Sequence, residues 1–203
     1  MNDDRGIKVV LLGESGVGKT NLIRVSMGQT FDKNSAATIS SAFHNSKIIH
    51  NDKSYQYCLW DTAGQEVYRS LNKIFIKDSK IIIIVFSIID KESFDNIDFW
   101  IKYVKEILAD DTYIMAVVGN KIDLYDEQQI PDEEIEKKFK GLGLKSKLTS
   151  AASDAQGFRK FLDELLKDYI DKYKPQETPL SDSFMIKENK PKKNKEKEES
   201  KCC

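Results

Sequence analysis

Cysteine is scarce in this chain. There are three in 203 residues, Cys58, Cys202 and Cys203. Cys58 falls in an apolar stretch and reads as a core residue. The other two close the chain, so a disulfide framework is excluded and a reducing cytosol is implied. Proline is nearly as rare, and three of the four, Pro175, Pro179 and Pro191, lie beyond Lys174. No apolar run is long enough to span a bilayer. The most apolar, residues 81–86 with Ile88-Ile89 after Ser87, reads as a strand buried on both faces of a parallel sheet. Charge of one sign is also missing. Lys plus Arg number 32 against 33 for Asp plus Glu, so no whole-chain field points to nucleic acid. The start, Met1-Asn2-Asp3-Asp4-Arg5, has no signal-peptide core. His44 and His50 have no metal-ligand spacing to each other or to Cys58, and read as solvated or satisfied within a strand.

What is present is an alternation of strand and helix patterns. Ile7–Leu12 reads as a strand and residues 17–27 as a helix. Residues 30–41 have no clear periodicity. Ala42–His50 and residues 53–60 are two strands joined at Asn51-Asp52, a hairpin signal. A loop at 61–64 and a weak helix to about Ile76 precede the strand Ile81–Ser87. Then come a single helix at 92–108, a strand at 113–119, a helix at 131–140, a short strand at 144–148 and a last helix at 156–173. Six strands with one hairpin imply an α/β domain: an open, mostly parallel sheet with helices on both faces. Ligands in such sheets bind at the carboxyl ends of the strands. After Lys174 aromatics almost vanish. Residues 187–201 hold seven Lys and four Glu, a local net of +3. The expected division is one domain over residues 1–174 and a disordered tail over 175–203, which cannot bury enough apolar surface to offset its ordering entropy.

Three segments at strand ends carry chemistry. Gly13-Glu14-Ser15-Gly16-Val17-Gly18-Lys19-Thr20 fits G-x-x-x-x-G-K-S/T between a strand and a helix. Its backbone N–H groups can form a nest for phosphate oxygens, and glycines let the backbone approach without a Cβ clash. Lys19 adds a charge for the β and γ phosphates, and the Thr20 hydroxyl can ligate Mg²⁺. Asn120-Lys121-Ile122-Asp123 follows a strand. A carboxylate there can accept hydrogen bonds from the N1–H and the N2 amine of guanine, whereas adenine has no donor at either position. Asp61-Thr62-Ala63-Gly64-Gln65-Glu66 follows another strand. Asp61 can hold Mg²⁺ through water, the Gly64 N–H can meet the γ-phosphate, and Gln65 can orient an attacking water.

With Thr38 and Ser150-Ala151, these segments follow the order of the Ras superfamily of small GTPases, and the chain resembles its Rab branch. The resemblance covers roughly residues 6–174 and the terminal cysteine pair. The Rab features are Ser15 in the phosphate loop, Trp60 directly before Asp61, and Phe43, Trp60 and Phe75 at the spacing of an aromatic triad shown to effectors. The fold implied is the P-loop small-GTPase fold. The resemblance implies nucleotide contacts from Ser15, Gly16, Val17, Gly18, Lys19, Thr20, Asn21, Phe31, Thr38, Gly64, Asn120, Lys121, Asp123, Ser150 and Ala151. Phe31 would stack on the guanine edge, and the Ala151 N–H would meet its O6. Mg²⁺ would be held by Thr20, Thr38 and Asp61, and turnover of GTP to GDP would rest on Gln65, Lys19 and Thr38. The implied partners are an exchange factor, an activating protein that accelerates slow intrinsic hydrolysis, effectors and a prenyl-chain carrier. Cys202 and Cys203 would be geranylgeranylated, attaching a monomer to the cytoplasmic face of endomembranes, from which it cycles with the cytosol.

The chain departs from the Rab pattern in places. Ile39-Ser40-Ser41-Ala42-Phe43 lacks the usual Gly-Val-Asp core, and Val67 stands where Arg is usual. Ile76-Lys77-Asp78 replaces Tyr-Arg-Gly, and Ala152 replaces Lys. The first three bear on partner recognition, the last on packing against the base. A GTP-bound scaffold with negligible hydrolysis is the alternative, though Gln65, Thr38 and Lys19 stand against it. An ATP-using P-loop kinase is opposed by Asp123.

Overall fold

The computed structural model describes residues 6–35, 42–62, 69–108 and 112–175. Thr38, Gly64, Gln65, Cys202 and Cys203 lie outside the described residues, as does the expected tail beyond Pro175. Six strands form one sheet in the order β2-β3-β1-β4-β5-β6. They are β1 (Ile7–Leu12), β2 (Ala42–His50), β3 (Lys53–Asp61), β4 (Ile81–Ser87), β5 (Ile114–Asn120) and β6 (Lys145–Leu148). Among the described residues, only the β2–β3 pair is antiparallel. Its turn residues, Asn51 and Asp52, have φ of 51° and 59°, the left-handed pair a two-residue hairpin requires. At the hairpin end His50 Nε2 lies 2.7 Å from Asp171 Oδ1 on the last helix.

The helices are α1 (Lys19–Ser26), α2 (Arg69–Ile76), α3 (Lys91–Asp95), α4 (Ile97–Ile107), α5 (Asp132–Leu142) and α6 (Ala155–Tyr173). Alternation along β4 supplies both cores. Ile81, Ile83 and Val85 join α1 and α6 residues such as Leu22, Phe158 and Leu162 on one face. Ile82, Ile84 and Phe86 join Phe94, Trp100 and Ile135 on the other. Cys58 is buried. Asp78 has a left-handed φ of 62°, a conformation aspartate tolerates better than most side chains.

Several sequence expectations are corrected. The helix expected at 17–27 starts at Lys19, because Gly18 has a φ of 96° and cannot continue a right-handed helix backwards. The single helix expected at 92–108 is two. Asn96, at φ −77° and ψ −2°, ends α3 and begins α4. The segment after β5, for which the sequence reading named no element, is a short 3₁₀ helix, Ile122–Glu127. Asp61 closes β3 instead of opening the next loop.

Candidate nucleotide-binding site

The carboxyl ends of β1, β3, β5 and β6 converge on a cavity of about 460 Å³, within the usual range for small-molecule sites. Its phosphate end is shaped by backbone. Gly13 has a φ of 138°, and a Cβ there would stand 2.1 Å from the Val85 carbonyl oxygen. At Gly18 a Cβ would stand 2.3 Å from Asn120 Nδ2. Neither position accepts a side chain.

Lys19 is buried at the start of α1, and its ammonium donates to the carbonyls of Gly13 and Glu14, each at 2.8 Å. Burial pulls its pKa down from 10.5 to about 8, partly opposed by the Asp61 and Glu14 carboxylates. The Thr20 hydroxyl donates to Asp61 Oδ2 at 2.8 Å. These are hard oxygen donors beneath the phosphate loop, a set whose chemistry fits Mg²⁺. The Thr62 hydroxyl donates to the Leu11 carbonyl at 2.7 Å and holds the end of β3 against β1. Asn21 exchanges two hydrogen bonds with the Asp32 backbone, both at 3.0 Å. That pairing fastens the segment carrying Phe31, 41% exposed, to α1 at the cavity wall.

The base end is a side-chain network. Asn120 is buried. Its Nδ2 donates to the Val17 carbonyl at 2.8 Å and its Oδ1 accepts from the Ala151 N–H at 3.1 Å. One amide therefore joins the phosphate loop to both base loops. Asp123 Oδ1 accepts from the Ser150 hydroxyl at 2.5 Å. The same hydroxyl oxygen accepts the N–H groups of Ala152 and Ser153, each at 3.0 Å. Such a carboxylate is held in one orientation before any ligand arrives.

Of the residues expected from sequence, Ser15, Gly16, Gly18, Lys19, Thr20, Asn21, Phe31, Asn120, Lys121, Asp123 and Ala151 line this single cavity. Val17 and Ser150 stand behind the wall and act through Asn120 and Asp123. Asp61 lies below Thr20. The Ala151 N–H expected to meet guanine O6 is engaged by Asn120, so a base would have to share it. Sequence reasoning missed Lys33, Ser35, Thr62 and Leu124 as wall residues. Lys33 and Ser35 fall in an aperiodic segment, and Leu124 depends on the 3₁₀ turn. Ala152, expected to bear on packing against the base, lines the cavity.

A strand, glycine loop and helix at a parallel-sheet edge, with a buried lysine at one end and an oriented carboxylate at the other, define a P-loop nucleotide-binding protein. The Ras family model matches residues 8–171, and the chain belongs to that family. It is a small GTPase switch, built to bind guanine nucleotides.

Proposed function

We propose that this GTPase is a Rab-type switch regulating vesicle and membrane traffic from the cytoplasmic face of endomembranes. The observation that carries this reading is the aromatic series on the outer surface. Phe43 and Trp60 have ring centroids 5.6 Å apart, and Trp60 and Phe75 5.7 Å. Phe43 is 55% exposed, far more than an aromatic side chain needs for packing alone. The Lys8 ammonium lies 4.9 Å from the Trp60 ring centre and also donates to the Lys77 carbonyl, fixing the middle ring from beneath. The Cys202-Cys203 terminus supports double prenylation, since one lipid chain anchors only marginally and two give stable attachment.

In turnover of GTP, Lys19 and the loop N–H groups hold the phosphates, Thr20 and Asp61 offer oxygens to Mg²⁺, and Asp123 reads the base. When bound, the ion would supply charge neutralisation at the phosphate oxygens. Gln65 orients the attacking water and Thr38 senses the γ-phosphate, both by family resemblance. Intrinsic hydrolysis is on the order of 10⁻⁴ to 10⁻³ per second by analogy with Ras, and an activating protein accelerates it.

The test is the location of the tagged protein in its native cells, with the intact mass of its terminal peptide. Two isoprenoid masses, and loss of membrane association after Cys202→Ser with Cys203→Ser, support the reading. An unmodified terminus with unchanged membrane association sinks it. The scaffold alternative is separated by single-turnover hydrolysis: a parent protein no faster than Gln65→Leu, with or without an activating protein, favours the scaffold.

A further inference from the structure

Glu14 is the one charged side chain of the phosphate loop, residues 13–20, that the nucleotide reading leaves unused. It places a carboxylate between Gly13 and Ser15, beside a site made for phosphate. Swung into the cavity, that charge would repel the ligand. The structure turns it the other way. Glu14 does not line the cavity. Its Oε1 accepts from Asn96 Nδ2 and from Trp100 Nε1, both at 3.1 Å.

Both donors are committed to this acceptor. Asn96 occupies the N-cap of α4, where asparagine ordinarily bonds the first turn of its own helix, yet its side chain makes no capping bond there. Trp100 is 2% exposed, so its indole N–H needs a protein acceptor, and Glu14 is the one it has. Four positions apart, the two side chains share one face of the helix. The break between α3 and α4 falls at Asn96 itself. Meanwhile the Glu14 carbonyl accepts the Lys19 ammonium. One residue thus holds Lys19 through its main chain and α4 through its side chain.

We propose that Glu14 is a positioning residue that fastens the phosphate loop to helix α4 through Asn96 and Trp100, keeping its own charge out of the phosphate site and slowing nucleotide release. The inference rests on the cavity being a guanine-nucleotide site.

The experiment uses the full-length protein loaded with Mg²⁺ and mant-GDP, chased with excess GDP. Loss of both hydrogen bonds in Glu14→Ala should raise the release rate about tenfold. Glu14→Gln, whose amide oxygen can accept from the same two donors, should stay within about threefold of the parent. Trp100→Phe with Asn96→Ala keeps most of the helix packing, should approach the Glu14→Ala rate, and should add little when combined with it. In a Trp60→Phe background Trp100 is the remaining tryptophan, and its emission should shift with Glu14→Ala but not with Glu14→Gln. Release at the parent rate in Glu14→Ala, no rescue by Gln, or full additivity of the two sets of substitutions would each overturn the proposal. A parent protein that fails to retain mant-GDP would overturn the nucleotide reading instead, before any variant is compared.

Discussion

The two ends of the cavity are built in opposite ways. The phosphate end is backbone: positive-φ glycines set its path, and the Lys19 ammonium is turned onto the loop's own carbonyls. The base end is side chain: the Ser150 hydroxyl holds Asp123, and the Asn120 amide ties the Val17 carbonyl to the Ala151 N–H. The first must exchange internal partners for ligand oxygens when phosphate binds. The second keeps its internal bonds and receives the base on a carboxylate already aimed. Affinity should therefore be concentrated at the phosphate end, and discrimination at the base end.

The largest expected effect breaks the first half of that contrast. Lys19→Ala removes charge-assisted bonds to phosphate and should weaken mant-GDP binding roughly 1000-fold in fluorescence titration. GDP and xanthosine diphosphate should lose affinity together, because the base end is intact. Asp123→Asn should instead weaken GDP roughly 100-fold while favouring xanthosine diphosphate, whose carbonyl replaces the N2 donor. Competition binding with both nucleotides reads this directly, and unchanged preference would refute the assignment of Asp123. Ser150→Ala leaves the carboxylate in place but frees its orientation. About tenfold weaker GDP binding, without a gain for the xanthine nucleotide, is expected by calorimetry.

The smallest effect concerns Lys19 in the empty protein. Its folded-state pKa is about 8, below the ordinary lysine value of 10.5. Between those values unfolding takes up a proton, so this residue makes the nucleotide-free protein more stable as pH rises from 8 towards 10. The melting temperature of the parent should rise relative to that of Lys19→Met by about 3 °C per pH unit at most over that window. No such rise would mean that the buried ammonium carries no desolvation cost.

The same contrast explains what the sequence disclosed. Phosphate-loop glycines are local signals, because positive φ and backbone approach are constraints on single residues. The strand alternation was equally legible, and Ile7–Leu12, Ala42–His50 and Ile81–Ser87 fall where periodicity puts them. Asp123 was legible through its placement after a strand, whereas the roles of Asn120 and Ser150 were not. Their partners, Val17 and Asp123, are 103 and 27 residues away and are set by sheet register. The Asn96 break escaped for the same reason. Its neighbours keep helical spacing, and the bond to Glu14 spans 82 positions. The reciprocal pairing of Asn21 with Asp32 also depends on how an aperiodic segment folds back onto α1.

Asn120 has a consequence for how the site empties. Its amide rivets the phosphate wall to the base wall through two buried hydrogen bonds, so those walls cannot be spread apart cheaply. The side closed by residues 31–35 is a flap hung on the Asn21–Asp32 pair, with Phe31 partly open to water. Opening that side breaks two part-buried hydrogen bonds, whereas spreading the riveted walls breaks two buried ones.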